Sequence, residues 1–185
     1  MESEIKIISK TNILPSVWDG GITFEYFIFP EDSVYDNRNF LFRISSASID
    51  KIPSDFTKFK GYKRYLVMIG DELSIIRNGE KENYSDLEIF EFNSDDEITS
   101  FSLGNDFNLM VSEKIKFSKL LLTDSFREIN NEYIFIHAIE KSKIILNENG
   151  FELEKSDLLI YKNPERKLIK LKSDNRVIVA LIDVG

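Results

Sequence analysis

Two arginines stand in strongly apolar surroundings and are the residues best suited to bind an anion. Arg43 lies in the alternating segment 40–49, on the same face as Ser45 and Ala47. Because an unpaired buried charge is prohibitively costly, an inward-pointing Arg43 needs a carboxylate partner. That partner is either a protein carboxylate in a structural ion pair or a ligand carboxylate held by the guanidinium fork, and the sequence leaves both open.

The second arginine, Arg64, opens the apolar run 65–69 and follows a local group of lysines, Lys58, Lys60 and Lys63. In a chain that is acidic as a whole, this small group of positive charges favours a small anion over a polyanion as its partner. The alternative is a solvated surface cluster, since a charge at the start of a strand is usually exposed to water.

Three further residues could complete such a site. Asp106 and Asn108 follow a turn and enter a strand, so they could present an acid and an amide at the mouth of a barrel. Both residue types are also ordinary in turns. Trp18 precedes two consecutive glycines, which permit a close approach of the backbone to a ligand. The alternative role for Trp18 is to plug one end of the barrel.

Composition excludes several kinds of chemistry. The chain has 185 residues, with 24 Lys and Arg against 32 Asp and Glu, so its formal net charge is −8. The absence of Cys excludes disulfides, thiolate zinc sites and a Cys nucleophile, and a single His cannot form a His-rich metal cluster. Only a carboxylate site for Ca²⁺ or Mg²⁺ stays open on these counts. The acidic balance argues against nucleic acid as a partner.

Hydrophobic and polar residues alternate with a period of about two along almost the whole chain, which predicts β-strands. The strands are short and rich in β-branched and aromatic residues, and hairpin turns are predicted at Asn78-Gly79 and Asn149-Gly150. No segment has sustained helical spacing, so the predicted fold class is all-β. No apolar run approaches about 18 residues and no signal peptide is recognisable, so we expect a cytoplasmic protein without a membrane partner.

An internal repeat with an offset of 71 residues divides the chain. Ser85-Asp86-Leu87 recurs as Ser156-Asp157-Leu158, and apolar positions stay in phase from about residue 64 to residue 182. This predicts two stacked β-barrels, a first half at residues 1–111 and a second at 112–185. The repeat aligns His137 with the core residue Leu66, so we interpret His137 as a structural core residue. Residues 11–63 have no counterpart in the second half, which places the functional site in the first half.

The chemistry-bearing residues fall within blocks that resemble those of a known family. The blocks are Trp18 with Gly20-Gly21-Ile22-Thr23, Phe29-Pro30, Arg43-Ile44-Ser45 with Ala47 and Ile49, Phe56 with Phe59, Gly61 and Arg64, Gly70, Leu87 with Phe90 and Phe92, and Gly104 with Asp106-Phe107-Asn108-Leu109-Met110. In order and spacing they resemble the HutD/Ves family of small bacterial bicupin proteins.

The resemblance implies an all-β bicupin, with two stacked cupin-like barrels or sandwiches in one chain. It implies neither a metal nor another cofactor, because the spaced His and Glu residues of metal-binding cupins are missing here. The implied function is to bind a small organic carboxylate, as a regulatory or sensing protein related to histidine utilisation or stress response. The ligand-binding residues would be Arg43, Arg64, Trp18, Asp106, Asn108 and Ser45.

Two other functions fit the same residues. A metal-independent isomerase or lyase acting on a small acid would use Asp106 as its base and an arginine to hold the substrate. An interaction protein would use exposed strand edges, which makes a homodimer possible.

Overall fold

The computed structural model describes residues 3–185, and strands make up most of this range. The all-β prediction is confirmed. The helical segments of the described range are two single turns of 3-10 helix, Lys10–Asn12 and Tyr35–Asn37. Within the same range, no helix has the length and apolar character needed to cross a bilayer.

The chain forms two compact units. The central unit comprises Ile13–Lys114, and the terminal unit comprises the described residues up to Asn12 together with Ile115–Gly185. The N-terminal segment, predicted to belong to the first half, is therefore part of the terminal unit, because its strand pairs with one near the C-terminus. The first two residues of the predicted first half lie outside the described residues.

The strands of the central unit form two sheets. They are β2 (Ser16–Trp18), β3 (Gly21–Phe29), β4 (Phe42–Ile49), β5 (Ser54–Asp55), β6 (Tyr62–Ile69), β7 (Leu73–Arg77), β8 (Glu80–Tyr84), β9 (Phe90–Asn93), β10 (Ile98–Ser100) and β11 (Gly104–Ser112). One sheet has the order β2-β3-β4-β11-β6-β9 and the other β5-β10-β7-β8. Leu66, Leu73, Phe90 and Ile98 belong to one buried cluster that joins the two sheets, so the unit is a sandwich with a core between its layers.

The terminal unit has the same plan. Its strands are β1 (Glu4–Ile8), β12 (Phe117–Thr123), β13 (Arg127–Ile129), β14 (Tyr133–Ala138), β15 (Ser142–Leu146), β16 (Asn149–Leu153), β17 (Leu158–Lys162), β18 (Ile169–Ser173) and β19 (Val177–Asp183). One sheet has the order β1-β17-β14-β19-β12 and the other β13-β18-β15-β16. Strands β4 and β5 thus have counterparts in β12 and β13, contrary to the prediction for residues 11–63. Within residues 11–63, β2 and β3 extend the sheet of the central unit beyond β4, and the described residues of the terminal unit have no counterpart of these two strands.

The two units match with small shifts in phase. In the central unit Met110 pairs with Arg64, and in the terminal unit Leu181 pairs with Ile134. The offset is therefore 71 residues for β11 and β19 but one residue less for β6 and β14. A shift of one residue turns every side chain of a strand to the opposite face of the sheet. His137 therefore does not correspond to Leu66. His137 lies on the face of β14 opposite the apolar core and is 1% exposed.

The recurring tripeptide occupies different positions in the two turns. Asp86 accepts a hydrogen bond from the backbone N–H of Gly70 at 2.7 Å, whereas Asp157 accepts one from Glu154 at 3.0 Å. The left-handed residue is Leu87 in the first turn and Ser156 in the second. The repeated letters are thus not structurally equivalent, although the strand order is.

One of the two predicted hairpin turns is misplaced. Asn78-Gly79 joins β7 to β8, with both residues at positive φ as a type I′ turn requires. In the terminal unit the turn falls two residues earlier than predicted, between the paired residues Leu146 and Asn149. Asn147 adopts a φ of 56°, which asparagine tolerates, and so closes the turn before Gly150. Gly150 lies inside β16.

Gly21 begins β3 at a position where only glycine fits. Its φ is 153°, and a Cβ atom there would overlap the backbone carbonyl oxygen of Ser48 on β4. We expect Gly21→Ala to lower the free energy of unfolding by about 2–3 kcal/mol, because backbone cannot move aside as a flexible side chain can. Urea denaturation measures this change.

Gly150→Ala is the matched control. Gly150 also lies in a strand, but an added Cβ would make only an ordinary contact of 3.7 Å with the side chain of Lys143. We expect this variant to be as stable as the wild type or slightly more stable. Equal stability of both variants and the wild type would contradict the close approach of β3 to β4.

Candidate functional site

Polar residues enter the interior of the central unit from three adjacent strands. Strand β11 lies between β4 and β6, and Met110 on β11 pairs with Arg43 on one side and Arg64 on the other. With strands about 4.8 Å apart, the two arginines start about 10 Å from each other on either side of Met110. Two residues along β11, Asn108 pairs with Ser45 of β4. The alternation of each strand therefore directs all of these side chains to the same interior.

The terminal unit shows what this interior would be without a site. The residues of the terminal unit that correspond to Arg64, Asp106, Asn108 and Met110 are Ile134, Val177, Val179 and Leu181. All four of these aliphatic residues belong to one buried core cluster. The same strand order thus encloses a filled aliphatic core in one unit and a polar interior in the other, so the polar interior of the central unit is the candidate site.

A cavity of about 660 Å³ occupies the polar interior. This volume lies within the range of about 300–1,000 Å³ that is usual for small-molecule sites. The six predicted site residues all line it: Arg43, Arg64, Trp18, Asp106, Asn108 and Ser45. The structure therefore brings the whole predicted set together, and their contact with a ligand stays a prediction.

Arg43 is buried and has a protein carboxylate as its partner. Its Nε donates to Oε2 of Glu25 at 2.6 Å, and one Nη donates to the hydroxyl of Ser45 at 3.0 Å. The guanidinium also lies over the ring of Tyr35, 4.3 Å from the centroid. Of the two partners that the sequence left open for Arg43, the ion pair is present here. It occupies only one edge of the guanidinium fork.

Arg64 is equally buried but lacks such a partner. Among the described residues, its one hydrogen bond is a long contact of 3.5 Å from Nη1 to the carbonyl oxygen of Thr57. Its guanidinium lies 5.2 Å and 5.4 Å from the ring centroids of Phe56 and Phe92, and its buried Nε has no hydrogen-bond partner among the described residues. No carboxylate of the described residues lies within ion-pair distance of the Arg64 guanidinium.

Burial sets the electrostatics of Arg64. Loss of hydration lowers the pKa of the Arg64 guanidinium from its usual value; the hydroxyl of Tyr35 and the carboxyl of Asp106 oppose this shift, and the charge of Arg43 adds to it. Arginine nevertheless stays protonated in proteins. Arg64 is therefore a permanent positive charge inside a cavity whose lining also contains the carboxylates of Glu25, Asp36, Asp55 and Asp106.

Asp106 and Asn108 line the same wall from β11. Asp106 is buried, and its Oδ1 accepts the backbone N–H of Ala47 at 2.8 Å. Asn108 is also buried, and its Oδ1 accepts no hydrogen bond from the described residues. An unsatisfied buried acceptor costs about 1–3 kcal/mol, so a donor from a bound molecule would be favourable there.

Part of the cavity mouth is apolar, although exposed Ser16, Asp36, Asp55 and Thr57 also line the cavity. Its exposed apolar residues include Leu14, Val17, Trp18 and Val34. Gly20 lies directly against the indole of Trp18, where a Cβ atom would overlap the ring. Gly20 therefore makes room for Trp18, whose indole lines the cavity.

Three residues that contact the two arginines were not identified from the sequence: Glu25, Tyr35 and Thr57. Glu25 is the only charged residue of β3, and that isolation among apolar residues is a signal that could have identified it. Tyr35 and Thr57 lie outside the strands that flank them, and no pattern marks them. Among the described residues, no group of three His, Asp or Glu side chains is arranged to hold a metal ion.

Two sandwich units with the same strand order, one of them around a polar cavity, define a protein of the cupin class. The family model of HutD matches residues 10–179, and the chain belongs to the HutD family. No curated protein matches the chain in sequence.

Solved structures agree with this assignment of the fold. HutD from Pseudomonas fluorescens SBW25 is similar over 97% of this chain and 98% of its own, with a TM-score of 0.82 and 20% identity. A conserved protein of unknown function from Pseudomonas aeruginosa PAO1 is similar over 97% and 99%, with a TM-score of 0.83 and 20% identity. A cupin 2 conserved barrel domain protein from Leptotrichia buccalis is similar over 96% of each chain, with a TM-score of 0.60 and 10% identity.

Proposed function

We propose that this cupin-type protein, related to histidine utilisation through its family, binds a small organic carboxylate in the cavity of the central unit. The observation that carries the proposal is Arg64, a buried cation with one long hydrogen bond and no carboxylate partner among the described residues. A ligand carboxylate would supply the missing charge and accept from the free edge of the guanidinium fork.

Other parts of the cavity favour an organic acid over an inorganic anion. The apolar part of the mouth around Trp18 suits the carbon skeleton of a ligand, and Oδ1 of Asn108 suits a ligand N–H or O–H group. The HutD structure from Pseudomonas fluorescens was described in a formate condition, and formate is the smallest carboxylate. The role we propose is regulatory: the protein senses a carboxylate of the pathway, independently of a metal ion.

Thermal unfolding with added carboxylates tests the proposal. Formate, urocanate and formylglutamate are each titrated, with the corresponding amides as neutral controls. We expect at least one acid to raise the melting temperature in a concentration-dependent way, because a ligand that binds only the folded state stabilises it. No stabilisation by any of the acids, or equal stabilisation by the amides, would contradict a carboxylate site.

One observation also supports an enzyme. Asp106 is buried in the cavity wall and interacts electrostatically with Arg64, which is the arrangement of a base beside a substrate-binding cation. A metal-independent isomerase or lyase would convert a bound acid, and Asp106→Asn would abolish the conversion. Proton NMR of each acid incubated with the protein would show new resonances; unchanged spectra favour the binding protein.

A further inference from the structure

Glu25 stands where a ligand carboxylate would bind Arg43. Its Oε2 accepts from Arg43 Nε at 2.6 Å, and Nε belongs to the edge of the guanidinium that holds a carboxylate side-on. Arg43 is thus neutralised from within the protein, whereas Arg64 has no ion-pair partner among the described residues. One Nη of Arg43 donates to Ser45 instead of to Glu25.

The two members of the pair differ in their freedom to move. The side chain of Arg43 is 9% exposed, whereas that of Glu25 is 39% exposed. The pairing of β3 with β4 changes register between Glu25 and Phe27, and such bulges redirect side chains. Glu25 can therefore turn toward water by side-chain rotation, while Arg43 is held by Ser45 and by the ring of Tyr35.

We infer that Glu25 is an internal competitor, which a bound carboxylate displaces from Arg43. This inference rests on the proposed function. A carboxylate held between Arg43 and Arg64 would lie within a few ångströms of the Glu25 carboxylate, and two like charges at that distance repel. Because Glu25 is already close to water, its outward rotation relieves the repulsion and frees the side-on edge of Arg43 for the ligand.

The consequence is a reduced apparent affinity. When only a fraction of the molecules has an open site, the apparent dissociation constant rises by the inverse of that fraction. Glu25 therefore sets the ligand concentration at which the protein responds. Replacing the Glu25 carboxylate by a neutral group should therefore increase the affinity for the ligand. Loss of a residue that binds the ligand would decrease it.

Isothermal titration calorimetry with formylglutamate tests the inference on three proteins: wild type, Glu25→Gln and Glu91→Gln. The Glu91 variant is the matched control, because Glu91 forms an equally close pair with Lys63 at 2.7 Å but does not line the cavity. We expect Glu25→Gln to bind about tenfold more tightly than wild type, and Glu91→Gln to bind as wild type does. The diamide of formylglutamate should show no gain with either variant.

Each other outcome has one meaning. If wild type binds and Glu25→Gln binds equally or more weakly, Glu25 positions Arg43 and the inference fails, while the carboxylate site stands. If no protein binds formylglutamate, the titrations are made with formate and urocanate, and if none of the three acids binds, the proposed function fails as well. Glu25→Asp provides a second variant, since a shorter carboxylate weakens the pair without removing the charge; its affinity should fall between those of wild type and Glu25→Gln.

Discussion

Replacing Arg64 by leucine should strongly weaken carboxylate binding and leave the ligand-free protein at least as stable as the wild type. Hydrogen bonds to a charged group contribute about 1.5–3 kcal/mol each, so loss of the guanidinium should weaken binding by at least about 100-fold. Removal of a buried charge with one long hydrogen bond should leave the free energy of unfolding unchanged or up to about 2 kcal/mol higher. Calorimetry and urea denaturation measure the two quantities on the same preparation.

Lys63→Gln is the control for this experiment. Lys63 is the neighbour of Arg64 on β6, and its Nζ donates to exposed Glu91 at 2.7 Å. Its removal takes away one positive charge outside the cavity, so binding should stay as in wild type. A large loss of stability in Arg64→Leu with unchanged ligand affinity would show that Arg64 is a structural residue and would contradict the proposed site.

Acidification to about pH 5 should destabilise the protein through His137. Burial lowers the pKa of His137 from 6.5 to about 3. At a pH between the two pKa values, His137 is protonated in the unfolded chain but not in the folded protein. The free energy of unfolding therefore falls as the pH falls. The slope is about 1.4 kcal/mol per pH unit, which gives a loss of about 2 kcal/mol between pH 7 and pH 5 and of about 4–5 kcal/mol by pH 3.

His137→Leu separates this effect from the titration of carboxylates. Leucine suits the site because the paired neighbours of His137 are Leu158 and Ile178. Urea denaturation at about pH 7, 6 and 5 should show a falling stability for wild type and a nearly level one for the variant. The same slope in both proteins would mean that His137 is not the group that titrates.

The architecture was predictable because strand periodicity is a local property. Alternation along the chain identified the strands, and their number and spacing identified the all-β class. The exact partner of each strand was not predictable, since register depends on contacts between distant segments. The shift of one residue between β6 and β14 shows this. It cannot be read from the alternation of apolar residues, yet it places Leu66 on the face of β6 toward the core and His137 on the face of β14 away from the core of its unit.

The candidate site was predictable in part for a similar reason. Arg43 and Arg64 stood out because a charge in an apolar strand is unusual, and such a signal needs no knowledge of the fold. The pairing of Arg43 with Glu25 was not predictable, because it depends on β3 and β4 being neighbours. Tyr35 lies in an irregular segment whose path is set by packing on Phe40 and Phe59.

The position of Trp18 gives this protein an optical property. The chain contains a single tryptophan, and its indole is at the mouth of the cavity, 38% exposed. Indole emission shifts with the polarity and proximity of the groups around it, so the tryptophan fluorescence of the whole protein originates at the site where a ligand would enter. Occupancy can therefore be followed in real time without a label, and stopped-flow mixing would resolve the rate at which the cavity fills.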